Sequence, residues 1–309
     1  VGPIVVIGGA AVDRKYRVLG DVVLGSSNPV AGEATWGGVA RNVAENLAHL
    51  GAAPRLLSVV GEDAAGKDLL AAASRAGIDI SLCQVLPGRA TATYVAVLSA
   101  AGDLVLGLAD MALFDALQPA WLAAAWPALS TAQWLFAECN LPAQTVGWLA
   151  RRCREEGKWL AVDAVSVAKS ARLPANLQGI SLLFLNLDQA RALTGLAGSG
   201  RHEQTLMIAA LRHRGVAAVM LTSGGGGVLV GAGDTVTHVP AVPVAVVDVT
   251  GAGDSMIAGA LWQLSCQASP DLVAACRTGV QLASRTIGSS ASVYTGGPDA
   301  IAGSYRDAP

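Results

Sequence analysis

Short, mostly apolar runs recur along this chain, each closed by a glycine or a polar residue. Residues 4–7, 56–60, 134–137, 159–162, 182–185 and 218–221 all have this form. Runs of four to five such residues have the length and texture of strands buried on both faces of a parallel sheet. Between them lie stretches with helical periodicity. Over 37–50, Val39, Val43, Leu47 and Leu50 share one face, and Gly51 supplies a C-terminal stop. Further helices are expected over 66–76, 253–266 and 271–287. The alternation predicts a doubly wound, mostly parallel α/β sheet flanked by helices.

Two regions break the alternation. Residues 91–98 and 104–108 flank Ala100-Ala101-Gly102-Asp103, which reads as a hairpin. Residues 16–33 are irregular, with Gly, Ser, Asn and Pro. Together, about 14–36 and 88–108 are expected to form a small inserted β-sheet, a lid on one domain spanning 1–309. Residues 117–137 carry no charge and have a length that would suit a membrane helix. However, Pro119, Pro127, Gln118, Ser130, Thr131 and Gln133 favour a broken helix followed by a buried strand. The apolar N-terminus has no basic segment and reads as a first strand rather than a signal peptide.

Composition narrows the function classes. The 309 residues are 52% hydrophobic and 14% charged, with a net charge of −2, which offers no electrostatic grip on nucleic acid or anionic membrane. Five widely spaced cysteines form no CxxC pair, so a reduced, cytoplasmic protein is expected. No Walker phosphate loop, protein-kinase motif set, dinucleotide fingerprint or serine-hydrolase elbow is present. The four histidines show no metal-ligand spacing.

Candidate chemistry gathers at the ends of the predicted strands. Asp13, Asn140, Asp163, Asn186, Thr222 and Asp248 follow such strands, and a doubly wound sheet collects these ends on one edge. Taken singly, each reads better as a turn or cap residue; it is their shared placement, with Gly37-Gly38, Gly224 to Gly227 and Gly251 to Gly253, that favours a site. The densest signal is Asp248-Val249-Thr250-Gly251-Ala252-Gly253-Asp254. A β-branched run, 242–247, is expected to lead as a strand into the Gly-Ala-Gly turn, and a helix follows. The free N–H groups of that helix start form an anion site, and the adjacent carboxylate is suited to taking a proton from an attacking hydroxyl.

The 248–254 run resembles the D-x-T-G-A-G-D signature of the ribokinase-like (PfkB) family of sugar and nucleoside kinases. Gly37-Gly38-Val39-Ala40-Arg41-Asn42 is similar to its upstream Gly-Gly/Asn element, and the likeness extends over essentially the whole chain. The resemblance implies ATP-dependent phosphorylation of an alcohol. Asp254 would be the base, and Gly251, Ala252 and Gly253 the anion hole. Asp13, Gly37, Gly38, Asn42, Thr93 and Asn140 would bind the acceptor. Asn186, Thr222, Gly224, Gly225, Gly227, Gly251, Gly253 and Ala283 would lie along ATP. Mg²⁺ would arrive mainly with ATP, bridged by water near Asp163 and Asn186. A K⁺ site would use Asp248 and Thr250. Gln189 stands where the family usually has glutamate. The family members it is most similar to act on pseudouridine, so the 5′-hydroxyl of that nucleoside is the expected acceptor. Alternatives are another ribonucleoside or sugar (uridine, adenosine, ribose, fructose) and a catalytically silent sensor. A homodimer through the lid is also expected.

Overall fold

The computed structural model describes residues 1–297; residues 298–309 of the expected 1–309 domain lie outside the described residues. Apolar runs at the predicted places form the main sheet. Strands β1 (Ile4–Ile7), β4 (Arg55–Leu57), β9 (Trp134–Glu138), β10 (Trp159–Asp163), β11 (Leu182–Asn186) and β12 (Ala218–Thr222) are parallel to their neighbours, in the order β4-β1-β9-β10-β11-β12. Strands β13 (Val228–Ala232) and β14 (Thr235–Val239) extend it antiparallel.

The remaining strands lie apart from the main sheet. β2 (Ala11–Val18) pairs antiparallel with β3 (Val30–Gly37) and parallel with β7 (Thr93–Leu98). β7 also pairs with β8 (Leu104–Asp110), giving a four-stranded sheet in the order β3-β2-β7-β8. Strands β5 (Val59–Gly61) and β6 (Gln84–Leu86) make a two-stranded sheet.

Helices cover both faces of the main sheet. They are α1 (Val39–His49), α2 (Ala64–Arg75), α3 (Pro119–Leu129), α4 (Ala143–Glu155), α5 (Val167–Ser170), α6 (Leu187–Thr194), α7 (Arg201–His213), α8 (Ala252–Ser265) and α9 (Leu272–Ile287). Two cores result because successive strand side chains point to opposite faces. Val5, Ile7, Leu135 and Leu160 pack on one side, with α3, α4 and α7 residues. Val6, Phe136, Ala161 and Met220 pack on the other, with α1, α8 and α9. Among the described residues no helix is long and apolar enough to cross a membrane.

Residues 19–29 form no helix or strand, in keeping with the irregular reading of 16–33, and β2 and β3 take up the two ends of that stretch. Their exposed positions carry Arg14, Arg17 and Glu33, and Lys15 is partly buried, so the apolar pattern of a strand is absent although the ladder forms. Three local expectations need correction. Residues 242–247 form no strand. Pro240 and Pro243 have no N–H for a ladder, and the N–H groups of Val247 and Asp248 go to Ile287 O. The run 56–60 is two strands, because Ser58 diverts the chain; its hydroxyl donates to Gly8 O (2.6 Å) and its carbonyl accepts from Gln84 N (3.0 Å). Gly37 closes β3, so α1 starts only after Gly38.

Helices α8 and α9 touch closely, and this contact fixes the base of the carboxyl edge. A Cβ at Gly279 would lie 2.4 Å from Met256 O, and one at Gly259 would lie 3.0 Å from Gly279 Cα. The helices can approach this far only without side chains there. Gly279→Val is therefore expected to destabilise the fold by about 1–3 kcal/mol, read as a lower urea midpoint at unchanged slope.

Candidate functional site

The carboxyl ends of the parallel strands carry the polar residues that the apolar runs end on. Glu138 closes β9, Asp163 closes β10, Asn186 closes β11 and Thr222 closes β12. The start of α8 reaches the same edge. Gly251 caps that helix in the left-handed conformation (φ 77°), and a Cβ there would lie 1.8 Å from Ser292 O. Both the dihedral and the close approach call for glycine. The helical ladder begins with Ser255 N donating to Gly251 O (2.9 Å). The N–H groups of Gly253 and Asp254 precede it in the first turn and have no intrahelical acceptor. Ala252 N is turned to Val249 O at 3.3 Å, so of the three expected anion-hole donors it is the one already engaged within the turn.

Asp254 is tied to α1 across 212 positions of sequence: Asn42 Nδ2 donates to Asp254 Oδ2 at 2.7 Å. Asn42 is itself oriented by Arg41, whose guanidinium donates to Asn42 Oδ1 (2.8 Å) and to Trp36 O (2.5 Å) and pairs with Glu45. The chain reaches α1 through Gly38 at φ 93°, where a Cβ would lie 2.5 Å from Gly9 O. Just before it, Gly37 packs against the Asp13 carboxylate, 2.1 Å from where its Cβ would be. Asp13, Gly37, Gly38, Asn42 and Asp254 thus share one corner of the sheet edge.

Carboxylates crowd this corner. Burial pushes the Asp254 carboxyl up to about 7; the Asn42 hydrogen bond opposes the rise, the Glu138 and Asp13 charges add to it, and Arg41 opposes it. Burial likewise pushes Asp163 well above the usual carboxylate range, with the charges of Asp254 and Glu138 adding to the rise. Glu138 is fully buried and is also raised by burial; its carboxylate accepts from Gly9 N (2.6 Å) and Asn140 N (2.5 Å). Asp13 is raised by burial, against the pull of Arg41 and Lys15.

Two neighbouring cavities open here. One, of about 160 Å³, is lined by Asp163, Asn186, Gln189, Thr222, Gly253 and Asp254 among others. The second, of about 190 Å³, is lined in part by Thr222, Gly224, Gly227, Gly253, Val280 and Ala283. Thr222, Gly253 and Met256 border both. Val165 lines the first cavity with φ at 63°, strained for a β-branched residue. Its N–H donates to Asp163 Oδ2 (2.9 Å), which helps hold that conformation.

Gly225, Thr93 and Asn140 line neither cavity. Gly225 is in the exposed 3₁₀ turn Gly224–Gly226. Thr93, on β7, turns its hydroxyl to Thr91 O (3.2 Å). Asn140 joins the edge through Glu138 and accepts from Arg172 on its carbonyl (2.6 Å). Gln189 forms a reciprocal capping box with Asn186 (2.8 and 2.9 Å), and its carbonyl oxygen is engaged there. Asp188 points to solvent and pairs with Arg191 (2.8 Å). Asp248 and Thr250, expected to form a K⁺ site, hold the ammonium of Lys15 instead: Nζ lies 2.7 Å from Asp248 Oδ2 and 3.3 Å from Thr250 Oγ1. These oxygens do not fit a further cation.

Sequence reasoning assigned no role to Arg41, Glu138 or Lys15. Each left a trace: a guanidinium directly before Asn42 in the Gly37–Asn42 element, an acid closing an all-apolar strand, and a lysine two residues after Asp13, hence on the same strand face.

A helix start with free N–H groups, a buried carboxylate beside it and a largely apolar cavity next to both lie together at the carboxyl edge of the sheet. The model of the pfkB family of carbohydrate kinases matches residues 3–296, and the chain belongs to that family, whose members are phosphotransferases that act on a hydroxyl group of a sugar or nucleoside. It is similar to pseudouridine kinase of Escherichia coli K12, with 32% identity over 258 residues, covering 83% of this chain and 82% of that protein. A carbohydrate kinase structure from Agrobacterium tumefaciens matches with a TM-score of 0.82 and 32% identity, covering 98% of this chain and 96% of that one. Arabidopsis thaliana ribokinase, solved with ribose and ATP, shares the fold with a TM-score of 0.84 at 18% identity, covering 99% of each chain.

The raised Asp254 carboxyl has a consequence for stability. An acid whose folded pKa exceeds its unfolded value near 3.8 loses stabilising free energy as pH rises towards about 7. Asp254→Asn is therefore expected to melt above the wild type, by a margin that is larger at pH 8 than at pH 5, as measured by thermal unfolding at the two pH values.

Proposed function

We propose that this chain transfers the γ-phosphoryl group of ATP to the 5′-hydroxyl of pseudouridine. The observation that carries the proposal is the 2.7 Å contact between Asn42 and Asp254. It joins the acceptor corner, with Asp13 and Gly38, to the start of α8. The choice of nucleoside is supported by the likeness to the E. coli enzyme over most of both chains.

In this reading Asp254 takes the proton from the acceptor hydroxyl as the phosphoryl group moves. A base with a pKa near 7 suits an alcohol acceptor at neutral pH, since it is substantially ionised yet still basic. The N–H groups at the start of α8 receive charge on the transferring phosphoryl group, together with the positive end of the helix dipole. Asp13 and Asn42 hold sugar hydroxyls; a carboxylate can accept from two neighbouring hydroxyls, and an amide can both donate and accept. The cavity bordered by Thr222, Gly224, Gly227 and Ala283 takes the nucleotide. Among the described residues no cluster of three acidic, histidine or cysteine side chains could cage a metal ion, so Mg²⁺ would come with the nucleotide. It would be held by ATP and bridged through water to Asp163 and Asn186, and would supply charge neutralisation of the phosphates.

The four-stranded sheet acts as a lid that excludes water from the reacting groups. Its strand β8 exposes Leu104 (59%), Val105 (43%), Leu106 (50%) and Leu108 (53%), an apolar edge that pairing between two copies in a homodimer would cover. A cytoplasmic location is in keeping with this reading, since ATP is abundant there.

The acceptor is tested by ADP formation with Mg·ATP and a panel of pseudouridine, uridine, cytidine, adenosine, ribose and fructose. Pseudouridine is expected to give the highest kcat/KM. A preference for uridine or a free sugar would replace the acceptor, and tight binding without turnover would make the chain a sensor. Asp254→Asn is expected to lose roughly 10²–10⁴-fold in kcat. For the wild type, kcat/KM should rise with pH through about 7. Asn42→Ala removes a hydrogen bond that favours the ionised carboxylate, so it should move that limb to higher pH. A limb that stays in place would remove Asn42 from the tuning of the base.

A further inference from the structure

Strand β2 presents Asp13 and Lys15 on one face, since alternate residues of a strand point the same way. Asp13 lies against Gly37 in the acceptor corner. Two residues on, Lys15 reaches the loop that leads into the anion-binding turn. Its ammonium bonds Asp248 Oδ2 at 2.7 Å and Thr250 Oγ1 at 3.3 Å, across more than two hundred positions of sequence. The other carboxylate oxygen of Asp248 accepts Thr250 N at 2.8 Å. Both oxygens of Asp248 and the hydroxyl of Thr250 are therefore engaged, and the charge at their centre is a lysine ammonium. The ion pair is partly buried, at 28% and 26% side-chain exposure, where solvent screening is weaker than at an open surface. Burial alone would raise the Asp248 carboxyl, but the bonds from Lys15 and Thr250 outweigh it and hold it below its usual value.

We propose that Lys15 is the built-in cation of this kinase: its ammonium replaces a monovalent metal ion at Asp248 and Thr250 and clamps the four-stranded sheet to the loop of the anion hole. Lys15 is a positioning residue, since it touches the loop rather than the reacting atoms. The clamp sets where the start of α8 sits, since Ala252 follows Thr250 by two residues. It makes phosphoryl transfer independent of added K⁺, in contrast to the K⁺ site that the family resemblance implies. The proposal rests on the phosphotransferase class of the protein and not on the identity of its acceptor.

The test compares KCl with choline chloride at equal ionic strength, using Mg·ATP and whichever acceptor of the panel the wild type turns over fastest. Wild-type kcat is expected to be the same in the two salts. Lys15→Met opens the oxygen site; its kcat should fall roughly 10–100-fold in choline chloride and recover in KCl, while Lys15→Arg should keep most of the activity in both. Thermal unfolding gives a second reading that needs no acceptor: KCl should raise the melting temperature of Lys15→Met relative to choline chloride, and should not do so for the wild type. Three results would overturn the proposal: K⁺ activation of the wild type, a Lys15→Met variant equal to wild type in choline chloride, or a loss in Lys15→Met that K⁺ does not relieve in either measurement. Failure of pseudouridine as an acceptor would overturn only the acceptor reading.

Discussion

The fold holds a carboxylate, Asp254, at the mouth of a helix inside a ring of other carboxylates. Asp13, Glu138 and Asp163 all act on the same corner. Desolvation and like charges both oppose ionisation there. What makes the arrangement stable is a short set of compensations: the Asn42 amide, the Arg41 guanidinium behind it, the positive end of the α8 dipole and the backbone N–H groups that close on Glu138. Removing any one leaves a buried charge short of a partner, which costs more than the net worth of the bond.

The same corner shows why backbone must come so close. Gly38 and Gly251 each combine a left-handed φ with a carbonyl where a Cβ would sit. One brings α1 and its Asn42 to the sheet edge, and the other turns the chain so that the start of α8 faces the cleft. Behind them Gly279 lets α9 support α8 at backbone distance. The geometry of the site is thus set by close-packed main chain, and side chains supply the charges. Strain at Val165, beside Asp163, belongs to the same pattern of a rigid scaffold holding unfavourable local states at its working edge.

Much of the main sheet was legible because buried parallel strands need continuous apolar runs, and the polar residues that end those runs must fall on one edge. The runs at 134–137, 159–162, 182–185 and 218–221 appear as β9 to β12, and Asp163, Asn186 and Thr222 follow at their ends. The second sheet was harder to read. β2 carries charge on its accessible positions, so its ladder left no apolar signature, while 242–247 had the β-branched content of a strand but no partner and two prolines in or beside it. β-propensity describes a side chain that fits a sheet, and it cannot by itself supply the neighbouring strand.

By itself, the order of residues determined the parallel α/β layering, the glycine turn with its acid and the family to which both belong, because periodicity and a contiguous motif are local properties of a chain. The tertiary structure decided which distant groups meet. Asn42 against Asp254, Glu138 against Gly9 and Lys15 against Asp248 each join residues more than a hundred positions apart. Only packing sets such distances, and a carboxylate's ionisation and a cation's place follow from distances of a few ångströms. So Asp254 was visible as a candidate base in the motif, whereas its raised pKa, and the lysine that fills the expected metal site, came from the folded geometry.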